Sequence, residues 1–277
     1  MSVSAKNIRN IAIVGHSGEG KTTLCEAILF NGGAIERMGR VDTGTTVSDF
    51  DEQEIARKMS VSLSAAYTTW KDVKINLLDC PGFYDFEGEV NEAMRACGAA
   101  IVVMGANGTL TVGAEKAINQ CLRAKKPLII FINGMDKDNA DYHGTVRALQ
   151  EKYKNKIAPI QIPMMEGNKM TGNVNALTEK AYRFTNTGPE EITVPDAYRR
   201  DFDEMRLSLT EAAAENDDVL LEKYFEDGQL SREDIIHGIR KGIYNINVIP
   251  VMAGSALQNK GVINLMNEIV KYLPEAA

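Results

Sequence analysis

Eight residues near the amino end carry the first chemical signal: Gly15-His16-Ser17-Gly18-Glu19-Gly20-Lys21-Thr22 satisfies the spacing GxxxxGKT. An apolar run at 11–14 precedes it and a helical pattern at 22–30 follows. In that strand-to-helix setting the glycines let the backbone turn its N–H groups toward one point, where the positive end of the helix also aims. Such a nest suits a polyphosphate. Lys21 would bridge the terminal phosphates, and Thr22 would offer its hydroxyl to Mg²⁺, which spans two phosphate oxygens and offsets their charge.

Three further groups stand where apolar runs end. Asp79-Cys80-Pro81-Gly82 follows the run at 73–78. By itself it reads as a turn; beside the upstream loop, Asp79 would reach a metal through water and the Gly82 N–H would meet a terminal phosphate. Asn133-Gly134-Met135-Asp136 follows the run at 128–132, and Gly254-Ser255-Ala256-Leu257 follows 248–252. A carboxylate at Asp136 would accept both hydrogen bonds from the N1 and N2 donors of guanine and would repel adenine, which lacks that donor pair. The base expected is guanine.

The elements that must position these groups alternate strand and helix. Runs at 99–104 and 128–132 are nearly all apolar, as strands buried on both faces are, and each follows a helical pattern. Residues 65–70 and 73–78 read as a hairpin across Lys71-Asp72. The fold class expected is α/β, a P-loop NTPase with a mostly parallel sheet flanked by helices. From 157 to 245 the pattern changes to short strands, Gly/Asn turns and polar helices at 196–215 and 231–242, an inserted α+β subdomain. The nucleotide-binding domain is then 1–156 with 246–277, closing on a strand at 248–252 and a helix whose Val262, Leu265, Met266, Ile269, Val270 and Leu273 share a face.

Composition narrows the class. The 277 residues are 44% hydrophobic and 25% charged, with a net charge of −7, which fits a compact chain and gives no global positive field toward nucleic acid or anionic lipid. No apolar run approaches the roughly 20 residues that span a bilayer, and no membrane partner, no sequence-specific nucleic acid and a cytoplasmic setting are expected. Cys25, Cys80, Cys97 and Cys121 are widely spaced and read as reduced apolar residues.

Taken together, GHSGEGKT, DCPG, NGMD and GSAL form an ordered set that resembles the translational GTPases, and the stretches Asp85-Phe86-Glu87-Gly88-Glu89-Val90 and Ser255-Ala256-Leu257-Gln258-Asn259-Lys260-Gly261-Val262 resemble the G domain of the elongation factor G family. The resemblance runs from about 7 to 273, includes an insert before the last strand, and is nearest to divergent elongation factor G-like members. It implies a GTP/GDP site with Mg²⁺, GTPase activity, and a ribosome as partner through further carboxyl-terminal domains absent from this chain. Lys21 and Gly82 take catalytic roles. His16, Ser17, Gly18, Glu19, Gly20, Lys21, Thr22 and Thr23 surround the phosphates, Asn133, Asp136, Ser255, Ala256 and Leu257 surround the base, and Thr22, Ser60 and (via water) Asp79 serve the metal. A non-hydrolysing GTP sensor or a ribosomal protection-type factor is the alternative.

Four departures from that family qualify its implications. Phe83 stands where the family has the histidine that positions the attacking water, so weak hydrolysis is expected. Gly134 replaces the lysine of NKxD, which lowers the affinity expected for nucleotide. Lys58 replaces a switch glycine, and Gly18 replaces an aspartate. Asp85 is the candidate substitute base, His143 and His237 read as helix residues without ligand companions, Trp70 reads as a packing residue at an exposed sheet edge, and the acidic run 215–218 reads as a solvated helix end.

Overall fold

A computed structural model describes residues 4–185 and 187–276. Seven strands form the main sheet: β1 (Ile8–Val14), β2 (Ser64–Trp70), β3 (Val73–Asp79), β4 (Ala99–Gly105), β5 (Leu128–Asn133), β6 (Ile157–Pro159) and β11 (Ile249–Ala253). Their order is β2-β3-β1-β4-β5-β11-β6, parallel throughout except for the β2/β3 hairpin. That hairpin closes in two residues, Lys71 and Asp72, both left-handed at φ 48° and 62°, the turn whose twist matches paired strands.

Every inner strand sends alternate side chains into two cores. Ile11, Ile13, Ile101, Val103, Ile129 and Phe131 face one side with the helices α1 (Lys21–Asn31) and α9 (Val262–Tyr272). Ala12, Val14, Val102, Met104, Ile130 and Ile132 face the other, beneath α3 (Glu87–Ala96), α4 (Val112–Arg123) and α5 (Tyr142–Tyr153). This double burial explains why the central runs read as continuously apolar. The short helix α2 (Glu52–Arg57) lies in the segment before the hairpin.

The antiparallel strands β7 (Gln161–Glu166), β8 (Lys169–Asn175), β9 (Lys180–Thr185) and β10 (Gly188–Ile192) form a second sheet, followed by α6 (Arg199–Glu215), α7 (Asp218–Asp227) and α8 (Arg232–Tyr244). Ile162, Val174, Leu209 and Ile239 join the same core as α1 and α9, so this segment packs onto one face of the main sheet. The boundary expected at 157 falls within an edge strand: β6 pairs with β11 in the main sheet, and the second sheet starts at Gln161. No helix among the described residues is long and apolar enough to cross a membrane.

Candidate nucleotide site

The sheet's parallel strands end at one edge, and the loops that leave that edge carry the residues singled out above. After β1, Gly15, Gly18 and Gly20 adopt φ of 147°, 79° and 90°, values an L side chain adopts only under strain. Gly15 also lies against the Val103 carbonyl, where a Cβ would collide. Lys21 and Thr22 open α1 and are buried, at 6% and 7% exposure. Lys21 Nζ donates to the His16 carbonyl at 3.0 Å. Burial lowers its pKa while Asp79, Cys80, Glu19 and Asp49 oppose the drop. Ser17, Gly18, Gly20 and Thr23 line a cavity of about 200 Å³ beside these two, together with Gly82 from the loop after β3.

Gly82 packs directly on the phosphate loop. A Cβ there would press on Lys21 Nζ and lie 2.6 Å from the Ser17 amide nitrogen, so any larger residue would close the cavity. His16 and Phe83 border a second, small void of about 30 Å³, room for about one water. His16 Nδ1 is buried without a partner. Glu19 turns its carboxylate toward Gly105 and Asn107 at the end of β4. Asp85 is exposed in the single 3₁₀ turn after Phe83.

Four oxygen-bearing side chains converge beside Thr22. Its hydroxyl is 3.1 Å from that of Ser60, which donates to Asp49 Oδ1 at 2.7 Å. Asp79 accepts from Ser48 at 2.8 Å. Asp79 Oδ1 and Asp49 Oδ2 are buried with no partner. Burial raises the Asp79 carboxyl from 3.8 to about 6, against the hydrogen bond from Ser48 and the charge of Lys21. Asp49 rises for the same first reason. Orphaned carboxylate oxygens beside hydroxyls are the hard donors Mg²⁺ prefers, and cis ligands of an octahedral ion at about 2.1 Å stand about 3 Å apart. The Thr22 and Ser60 hydroxyls fit that ion.

The segment carrying Ser48, Asp49 and Ser60 is pinned by two buried acids that the sequence did not single out. Glu26 of α1 accepts from the amides of Gly39 at 2.7 Å and Val47 at 2.6 Å. Glu54 of α2 accepts from Val61 at 2.9 Å and Ser62 at 3.1 Å. Lys58 ends α2 at φ 55°, ψ 42°, the left-handed geometry in which glycine is strain-free.

At the other end of the site, Asn133 ties three loops together. Its Oδ1 accepts from the Ala256 amide at 2.8 Å, and its Nδ2 donates to the Glu19 carbonyl at 2.8 Å. Met135 N donates to the Gly254 carbonyl at 3.1 Å. Ser255 is fully buried and its hydroxyl accepts from Gln258 N at 3.1 Å, while Leu257 is 56% exposed. Asp136 is half-buried. Gly134 has φ 83°, and the methylenes of Lys137 lie 3.3 Å from where its Cβ would be.

This arrangement defines a P-loop α/β fold of the GTPase type with an added antiparallel sheet. Residues 6–275 match the family model of the elongation factor Tu GTP binding domain, and the chain belongs to that family. It is 36% identical over 276 residues to elongation factor G of Mycoplasma pneumoniae, covering 99% of this chain and 40% of that protein. A crystal structure from Thermus thermophilus superposes with a TM-score of 0.91 at 34% identity, covering 98% of this chain and 41% of the other. The chain thus spans about two fifths of the length of these relatives.

The other sequence expectations resolve individually. All four cysteines are free and buried. Trp70 is half-buried at the sheet edge, and its indole N–H donates to Asn267 of α9 at 2.9 Å. His237 is exposed on α8, with its Nε2 3.6 Å from Asp217, which also pairs with Lys241 at 2.9 Å, and among the described residues no set of side chains around it could hold a metal. Asp217 caps α7 and pairs with Lys241 of α8, so the acidic run is a helix start.

Proposed function

We propose that this chain is the nucleotide switch of an elongation factor G-like protein, binding Mg²⁺·GTP or GDP and acting with the ribosome in the cytoplasm. The observation that carries it is Asn133, whose amide clamps the phosphate loop at Glu19 and the Ala256 loop at once. That clamp fixes the distance between a polyphosphate nest and a base edge, which a bare phosphate site does not need.

In this account the amides of 15–22 hold the phosphates, Lys21 neutralises their terminal oxygens, and Asp136 reads the N1 and N2 donors of guanine. Ser255, Ala256 and Leu257 frame the base. Thr22 and Ser60 would hold Mg²⁺, with Asp79 behind a bound water; the ion supplies charge neutralisation between two phosphates. Gly82 rests on Ser17 and Lys21, so a terminal phosphate must displace or capture its amide, and the loop through Phe83 moves with it. Ser60, tethered through Glu54 and Asp49, couples the other switch to the same event.

Hydrolysis by this chain is slow in our account, because the phenyl ring of Phe83 neither accepts nor donates the hydrogen bond that aligns an attacking water. That residue favours a second reading, a GTP sensor that scarcely hydrolyses. Single-turnover release of the γ-phosphate by the full-length protein, with and without ribosomes, separates the two. Stimulation by ribosomes supports the GTPase, and GTP binding with no release in either condition supports the sensor. An ATP-using phosphotransferase is disfavoured by the carboxylate at 136, and failure of ATP to displace a fluorescent GDP analogue tests that.

A further inference from the structure

A cleft of about 820 Å³ shares no lining residue with the phosphate-loop cavity. It lies between the antiparallel sheet, the end of α1 and the start of α9. Its rim carries Lys169, Arg183 and Lys260 against a single carboxylate, Glu166, in a chain whose net charge is −7. Among the described residues none of these three cations forms an ion pair. Lys260 reaches across the cleft to donate to the Met170 carbonyl at 2.8 Å. Burial lowers its pKa and the charge of Lys169 adds to the drop, opposed by Asp136.

The eleven-residue α9 points its amino end into this space. Gly261 precedes it at φ 77°, with no side chain capping the first amides and no acidic residue in the first turn. Such an end attracts an anion. A second observation is independent of the helix: Asn264 lines the cleft at 5% exposure, and its Oδ1 is buried with no hydrogen-bond partner. The Asn264 amide carries a donor and an acceptor and can turn either end toward a polar group in the cleft. Phe30 and Phe184 supply apolar walls.

We propose that this cleft binds a phosphate ester of nucleotide size, with its phosphate between the start of α9 and Lys169, Arg183 and Lys260, a flat ring against Phe30 and Phe184, and an N–H or O–H of the ligand donating to Asn264. Volume, charge and the mixed lining agree with a small-molecule site, and Arg183 suits phosphate through its paired donors. The cleft shares no lining residue with the phosphate-loop cavity, and saturating the chain with GDP keeps binding at the two places distinguishable.

The test is calorimetric titration of the GDP-saturated chain, in Mg²⁺, with AMP and with inorganic phosphate. AMP is expected to saturate a single site and to bind roughly tenfold tighter than phosphate, because the ring adds contacts that phosphate lacks. Arg183→Ser should weaken AMP at least fivefold, and Phe184→Ala should weaken AMP while leaving phosphate unchanged. Arg183 is exposed on β9, and an unchanged circular dichroism spectrum would verify that its variant folds. No saturable AMP binding by the GDP-saturated chain, equal affinity in Arg183→Ser, or equal AMP affinity in Phe184→Ala would each overturn the proposal.

Discussion

Replacing Asp79 by Asn should stabilise the metal-free protein while weakening its response to Mg²⁺. Asp79 is 1% exposed, one oxygen accepts from Ser48 and the other has no partner. Burial lifts its carboxyl from 3.8 to about 6. Between those values the folded chain keeps a proton that the unfolded chain has released, so stability falls as pH rises through this window and stays lower above it. At about 1.4 kcal/mol per pH unit the ionised carboxylate costs the metal-free fold about 3 kcal/mol at about pH 8 and about half of that at about pH 5. Asparagine keeps an oxygen for Ser48 and carries no charge, so the variant should gain up to these amounts. Asp49 shifts in the same direction, so the wild-type pH slope contains both acids and the difference between wild type and variant isolates Asp79. Urea unfolding in EDTA at the two pH values measures it. A variant less stable than wild type at the higher pH, or a difference that does not grow by about 1 kcal/mol between the two, would refute the reasoning. With Mg²⁺ and GDP added, the order should reverse, because the ion offsets the buried charge.

Other substitutions probe the departures from the family. Phe83→His should raise single-turnover hydrolysis of the full-length protein on ribosomes, on the order of 10²-fold; an unchanged rate would show that Phe83 is not what limits it. Gly134→Lys should tighten GDP binding about fivefold, the worth of roughly 1 kcal/mol of apolar stem on the base. At φ 83° the same change should cost about 1–2 kcal/mol of stability, and calorimetry giving equal or weaker affinity would remove the cover argument. Lys58→Gly relieves a left-handed φ of 55° and should add about 0.5–1 kcal/mol to stability; a lower thermal midpoint would contradict it.

How much of this was legible beforehand follows from where the information lies along the chain. The phosphate loop could be read because glycine spacing, lysine and threonine are contiguous, and the central strands because both faces of β4 and β5 are buried. The pinning acids were not legible. Glu26 and Glu54 look like ordinary charged helix residues, and Glu26 meets amides 13 and 21 positions away, which no local pattern encodes. Only the capping box at Asp51 and Glu54 left a trace in the sequence. Ser48 and Asp49 were missed for the same reason: their partners, Asp79 and Ser60, come together only after the hairpin folds back. The edge of the inserted segment was displaced because β6 is a three-residue strand, too short for periodicity to mark.

The most direct test of guanine recognition is competitive titration of GDP against xanthosine diphosphate, in Mg²⁺, for the wild-type chain and Asp136→Asn. The carboxylate matches the N1 and N2 donors of guanine, whereas an amide matches the xanthine edge. The account predicts that wild type prefers GDP and that the variant prefers the xanthine nucleotide, with GDP affinity reduced on the order of 10²-fold. A variant that still selects GDP, or a wild type that binds neither, would contradict it.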